Sequence, residues 1–259
     1  EASLNDPRAL CFLLQCCTQT SNLSPGMEIH HFILHNGLLS DAFLPNYIIR
    51  LYTRCGSLYE AHHVFRKILY PTVFSWSAMI AGYTSHGQHD KAIKLYFGMR
   101  EANVRPDGHT YVAVLTACIN GLFLEQGKMV HTHVSSSSYK VDLYVNNTII
   151  DMYAKCGSID GACDAFAALP ERNLVTWNTL LAGFVQHKMW GEAASHFLEM
   201  LSQVVIPNHF TISCILKACA GKRDLEMGEK IHDEIQRQGL LQTNVVLGTS
   251  LLDMYAKCN

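Results

Sequence analysis

"GMEIH" at residues 26–30, "GKMVH" at 127–131 and "GEKIH" at 228–232 stand 101 residues apart. Cys17, Cys118 and Cys219 keep the same interval, and so do Trp76 and Trp177. Series that share one register mark a chain built from repeats, and a fixed period decides a fold before any single residue does. The interval divides further. In the one unit that can be followed whole, 73–173, segments of 35, 35 and 31 residues each read as helix, turn, helix. Within 73–107, Ala92, Leu95, Tyr96 and Met99 share a helix face at i, i+3, i+4 and i+7, "SHGQ" supplies the turn before them, and Pro106 stops the second helix. Such a pair has an apolar face it cannot bury alone, so neighbouring pairs must stack. The expected fold is all-α, an α-solenoid superhelix of helix-turn-helix repeats, with its concave inner surface as the natural binding site.

Composition agrees. With 259 residues, 49% of them hydrophobic, the chain can bury a sizeable core, which argues against disorder. Twenty Lys and Arg against 22 Asp and Glu give a formal charge of −2, so this is not a globally basic nucleic-acid binder held by phosphate attraction. Any RNA contact must rest on base recognition and local positive patches. Most of the ten cysteines fall in apolar helical patterns such as "LKACA" and "DMYAKC", where a free thiol packs as a small hydrophobe, and a reducing compartment follows. No apolar run reaches the roughly 18 residues of a membrane span. The opening "EASLNDP" lacks a basic region followed by an apolar segment, so a targeting segment is expected to be absent from this chain.

At this point a resemblance emerges. "FSWSAMIAGYTSHGQHDKAIKLYFGMREANVRPD" and "LVTWNTLLAGFVQHKMWGEAASHFLEMLSQVVIPN" resemble standard pentatricopeptide repeats, and "IIDMYAKCGSIDGACDAFAALPERN" resembles a short one. "MYAKCGSI", "PERN" and "TWN" together resemble the plant PLS class, in which long, short and standard repeats alternate. The resemblance implies 1–6 as the remnant of a preceding segment, then 7–41 long, 42–72 short, 73–107 standard, 108–142 long, 143–173 short, 174–208 standard, 209–244 long and 245–259 a truncated short repeat. Lys188 stands where a turn glycine is usual and His196 where an apolar residue is usual, which weakens 174–208 locally.

The resemblance implies single-stranded RNA as the partner, read one base per repeat by stacking and by hydrogen bonds to base edges. In such repeats the fifth residue faces the base edge, the last residue assists it and the second packs on the base face. Ser77 with Asp107 then favours G, because a small hydroxyl beside a carboxylate leaves room for a purine and accepts from its ring N–H; Asn178 with Asn208 favours C, whose N3 and O2 accept from amides. Asn46 with Thr72 suggests a pyrimidine, Asn147 with Asn173 suggests C, and Ser213 with Asn244 suggests A. Cys11 with Asp41 and Val112 with Asp142 lack a polar fifth residue. Bound parallel, the array reads n-Y-G-n-C-C-A. The second positions are Phe43, Phe74, His109, Tyr144, Val175, Phe210 and Val246, and stacking on an aromatic is worth about 1–3 kcal/mol per base. A single Asn or Ser at a helix start is commonly a cap, and a single Phe there can serve packing between repeats; it is the recurrence at one repeat position that points to base reading.

Other chemistry finds little support. His232-Asp233-Glu234 has the H-x-E half of a zinc deaminase signature, but that signature also needs a C-x-x-C pair, which the sequence lacks. His131 and His133, two apart, do not share a helix face. Ser135 to Ser138 fits a solvated helix end. No catalytic constellation, metal site or cofactor is expected. The resemblance further implies selection of transcript sites for C-to-U RNA editing in a plastid or mitochondrion, with editing-complex proteins as partners and with a deaminase-like domain following the repeats or supplied in trans. The alternative is a protein–protein scaffold of the tetratricopeptide-like type.

Overall fold

The computed structural model describes residues 6–40, 43–237 and 245–258. Among them there are helices and turns and no strand. Two compact units divide the chain, 1–132 and 133–259. In the first lie α1 (Pro7–Gln19), α2 (Leu23–His35), α3 (Leu44–Arg54), α4 (Leu58–Lys67), α5 (Val73–Ser85), α6 (His89–Glu101) and α7 (Gly108–Gly121). After α8 (Leu124–Ser135), the second unit holds α9 (Leu143–Lys155), α10 (Ile159–Ala167), α11 (Leu174–Gln186), α12 (Trp190–Ser202), α13 (His209–Lys222), α14 (Leu225–Arg237) and α15 (Val245–Cys258).

Each unit is a two-layer stack. In the first, α1, α3, α5 and α7 pack in succession while α2, α4 and α6 pack against the helices on either side of them. In the second, α9, α11, α13 and α15 form the same row and α10, α12 and α14 the other. This is the α-solenoid packing that the 101-residue period requires. The two tryptophans show the same joint in both units: Trp76 meets Phe65 and Trp177 meets Phe166, each edge-on at 4.7 Å between ring centroids. Helices in the first row come close because small residues stand between them. A Cβ on Gly183 of α11 would lie 2.9 Å from Ala154 Cβ of α9. All ten cysteines are free thiols. Burial pushes the Cys214 thiol up to about 11 and Cys219 up to about 12, so both remain protonated and pack as small apolar groups.

The recurring histidines have structural partners. Buried His30 meets Tyr52 through Nδ1 and the phenol oxygen at 2.8 Å, and His232 meets Tyr255 at the same distance. Burial lowers the His30 pKa to about 4, which keeps the ring neutral. α8 ends at Ser135, where Ser136 and Ser137 donate to the carbonyls of His133 and Val134. His196 lies against Phe184, with ring centroids 4.7 Å apart, and its Nδ1 meets the Glu192 carbonyl.

The turn positions explain two local costs. Gly87 adopts φ 73°, and Lys188, in the same place one period later, is forced to φ 58°. Asn103 takes φ 57° comfortably, whereas its counterpart Val204 takes φ 59° with its side chain 85% exposed. A β-branched residue in the left-handed region is strained, and here no burial offsets the strain. Val204→Asn should therefore stabilise the protein by about 1 kcal/mol and raise the melting temperature by roughly 2–4 °C. A thermal scan showing no gain would mean that the turn carries no strain.

Candidate nucleic-acid interface

Several first-row helices begin with a residue whose side chain caps them, at the position expected to close the repeat before. Asp107 caps α7 by accepting from the Thr110 N–H at 2.8 Å. Asn173 caps α11 through the Thr176 N–H, and Asn208 caps α13 through the Thr211 N–H, each at 3.0 Å. Asp142 caps α9 through the Val145 N–H at 2.9 Å. Thr72 and Ser75 form a capping box at α5. Asn208 is thus not a passive loop residue after Pro207. Its side-chain oxygen is committed to the helix, which leaves its amide nitrogen for another partner.

Two of the expected pairs meet directly. Asn178 Nδ2 donates to Asn208 Oδ1 at 3.3 Å. Ser77 Oγ stands 3.4 Å from Asp107 Oδ1. In both a buried threonine completes the group. The Thr211 hydroxyl accepts from the Asn208 backbone N–H at 3.2 Å and donates to Asn178 Oδ1 at 2.6 Å. The Thr110 hydroxyl donates to Asp107 Oδ1 at 2.6 Å and also meets Ser77 Oγ. The Asn46 and Thr72 pair is bridged rather than direct: Ser75 Oγ accepts from the Thr72 N–H at 3.2 Å and donates to Asn46 Oδ1 at 2.6 Å.

One pair is not brought together in this way, and another has a member outside the described residues. The Thr176 hydroxyl donates to Asn173 Oδ1 at 3.0 Å, and Asn147 Oδ1 is buried without a partner among the described residues. Ser213 Oγ is likewise buried and unpaired, and Asn244 and Asp41 lie outside the described residues. The third-position hydroxyls Ser75, Thr110, Thr176 and Thr211 were not singled out by sequence reasoning, although their recurrence at one repeat position was there to be seen.

The second-position residues are all at the surface. Phe74 is 66% exposed and Phe210 46%, and Phe43, His109, Tyr144, Val175 and Val246 are exposed as well. Packing between repeats therefore does not account for Phe74 or Phe210. Each sits at the start of a first-row helix, three residues before the fifth-position side chain. The groups left unengaged beside them differ between the two standard segments. Around Asn178 and Asn208 the remaining polar hydrogens are one on Asn178 Nδ2 and two on Asn208 Nδ2. Beside Ser77 the remaining group is the second carboxylate oxygen of Asp107, an acceptor. No cluster of three or more His, Cys, Asp or Glu able to hold a metal occurs among the described residues. None of the described helices is long and apolar enough to cross a membrane.

The PPR repeat family profile matches residues 71–120 and 172–221, and the PPR repeat profile matches 147–174. The chain belongs to the pentatricopeptide repeat family. A chloroplastic Arabidopsis thaliana relative, pentatricopeptide repeat-containing protein CRR2, is 34% identical over 252 residues, covering 95% of this chain and 38% of the relative. A mitochondrial pentatricopeptide repeat-containing protein of the same plant is 32% identical over 252 residues, covering 97% of this chain and 33% of the relative. The chain spans about a third of the length of these relatives. Among solved structures, pentatricopeptide repeat protein PPR10 in complex with an 18-nt psaJ RNA element superposes with a TM-score of 0.72 at 19% identity, covering 90% of this chain and 35% of that one. PPR10 from maize gives 0.56 at 20% identity, covering 98% and 42%. Those likenesses establish the fold.

Because Asn208 caps α13, this pentatricopeptide repeat protein should lose about 1 kcal/mol on Asn208→Ala and nearly nothing on Asn208→Asp, an equally good cap. Urea unfolding checks this. Equal losses for the two variants would mean that the cap contributes no stability.

Proposed function

We propose that this chain binds single-stranded RNA with one base facing each repeat, and that the full protein selects organellar transcript sites for C-to-U editing. The observation that carries the proposal is the Asn178, Asn208 and Thr211 group. Its internal hydrogen bonds engage both amide oxygens, one of them with the buried Thr211 hydroxyl, so N–H groups remain to face a base. Cytosine presents two acceptors in a row, O2 and N3, and suits them. The free carboxylate oxygen of Asp107 suits the N1–H of guanine by the same logic. The exposed Phe43, Phe74, Tyr144 and Phe210 give bases apolar faces to pack against. The sequence best accommodated is n-Y-G-n-C-C-A, with the first repeat nearest the 5′ end.

The repeat borders are those of long, short and standard pentatricopeptide repeats in that order from residue 7. Residence in a plastid or mitochondrion accords with relatives named chloroplastic and mitochondrial. Editing chemistry would come from a deaminase-like domain beyond the repeats or from a partner protein, with this chain supplying the address. A protein–protein scaffold would have no use for Asp, Asn and Thr recurring at one repeat position.

The experiment is Asn208→Asp. Uracil carries an N–H at position 3 where cytosine has an acceptor, so exchanging the outward amide for a carboxylate should move the preference at the sixth base from C to U by about 1–3 kcal/mol. Affinity is measured for four RNAs that differ only at that base, with melting temperature as the folding control. A folded variant that still prefers C, or that weakens towards all four equally, would remove Asn208 as a base reader.

A further inference from the structure

We infer that Thr211 is a positioning residue: its hydroxyl holds the Asn178 amide in the one orientation that turns N–H groups to the base, and Ser75 serves Asn46 in the same way. The inference rests on the RNA-binding reading above and deepens it. An amide is nearly symmetric in shape, so only its partners decide which end faces out. Around Asn178 the bonds close into a ring. The Asn208 N–H donates to Thr211 Oγ, Thr211 Oγ donates to Asn178 Oδ1, Asn178 Nδ2 donates to Asn208 Oδ1, and that oxygen also accepts the Thr211 N–H. The ring closes in one sense. With the Asn178 amide reversed, two carbonyl oxygens would stand 3.3 Å apart and the Thr211 hydroxyl would lose its 2.6 Å acceptor, keeping only Asn208 Oδ1 at 3.0 Å.

A helix cap alone does not require this arrangement. The cap at α13 is complete in the two bonds from the backbone N–H groups of Asn208 and Thr211, and the Thr211 hydroxyl also has Asn208 Oδ1 within 3.0 Å. The shorter bond leaves α13 altogether and reaches Asn178 on α11, 33 residues away. Ser75 makes the corresponding bond to Asn46, 29 residues away on α3.

The repeats themselves supply an independent observation. Hydroxyl third residues Ser75, Thr110, Thr176 and Thr211 follow repeats whose fifth residues are Asn46, Ser77, Asn147 and Asn178, all able to hydrogen-bond. Aliphatic third residues Leu44, Val145 and Leu247 follow Cys11, Val112 and Ser213. Two of those fifth residues have little or no need of a strong donor, and the third, Ser213, has its hydroxyl buried without a partner among the described residues. The hydroxyl thus follows four of the five polar fifth residues, Ser213 being the exception, whereas Asn147 Oδ1 has no partner among the described residues although Thr176 follows it.

The test uses Thr211→Val, which keeps the shape and the bond from the Thr211 N–H to Asn208 Oδ1 but removes the hydroxyl and with it the acceptor of the Asn208 N–H, together with Thr211→Ser, which restores it. Short single-stranded RNAs differing only at the base opposite Asn178 and Asn208 are the probes. Thr211→Val should cut the preference for C over the other bases by roughly tenfold, the factor for one lost hydrogen-bond preference, and leave the base opposite Ser77 and Asp107 discriminated as before. Thr211→Ser should keep the preference, and in an Asn178→Ala background Thr211→Val should change it no further. Equal weakening towards all four RNAs, or a C preference identical to that of the unaltered protein, overturns the inference while leaving base reading intact. An unaltered protein with no preference at that base overturns both. Should Thr211→Val fail to fold, Ser75→Ala is read in the same way at the base opposite Asn46, where an undiminished pyrimidine preference would count against the inference.

Discussion

A first helix has backbone N–H groups at its start that nothing inside the helix can satisfy, and in this chain the preceding repeat satisfies them. Asp107, Asn173 and Asn208 each give one side-chain oxygen to the helix that follows. The bond joins neighbouring repeats at a fixed register and at the same time divides the side chain into an engaged half and a free half. What faces outward is therefore decided by chemistry at the far atom: an amide nitrogen in Asn, a second oxygen in Asp. On the proposed reading stability and recognition share one residue, and Asn and Asp, being equally good caps, can be exchanged there at little cost to folding.

The rest of the stack serves that geometry. Close approach at Gly183, the tryptophan–phenylalanine joints and the histidine–tyrosine contacts fix the spacing of the first-row helices within each unit. Fixed spacing in turn lets a fifth residue on one helix reach a cap on the next. The near-neutral charge of the chain leaves recognition to these short-range contacts and to the exposed aromatics at second positions.

Much of this could be read in the sequence because repetition turns weak signals into strong ones. The 101-residue interval exposed the helix pairs, and Lys188 and Gly87 falling in one register foretold a strained turn. Other features could not be read from type and spacing. Asn208 after Pro207 looks like an exposed loop residue, and only three dimensions show its oxygen on α13. Phe74 and Phe210 are equally suited to a core or to a surface, since a hydrophobic side chain does not state its own exposure. Thr211 was overlooked because a hydroxyl at a helix start has so common an explanation in capping that its bond to another helix is invisible until the helices are packed. Asn147 makes the same point in reverse: its pairing with Asn173, expected by analogy with Asn178 and Asn208, is absent although the residue types match.

The central claim is that successive repeats present chemically distinct groups to successive bases of an RNA single strand. Selecting bound molecules from a pool of randomised short RNAs, in parallel with a single-stranded DNA pool of the same length, tests it most directly. The account predicts enrichment of RNAs with G and C three positions apart at the places facing Ser77 with Asp107 and Asn178 with Asn208, and no comparable DNA enrichment. Recovery of unbiased RNA, or of DNA as readily as RNA, would contradict it.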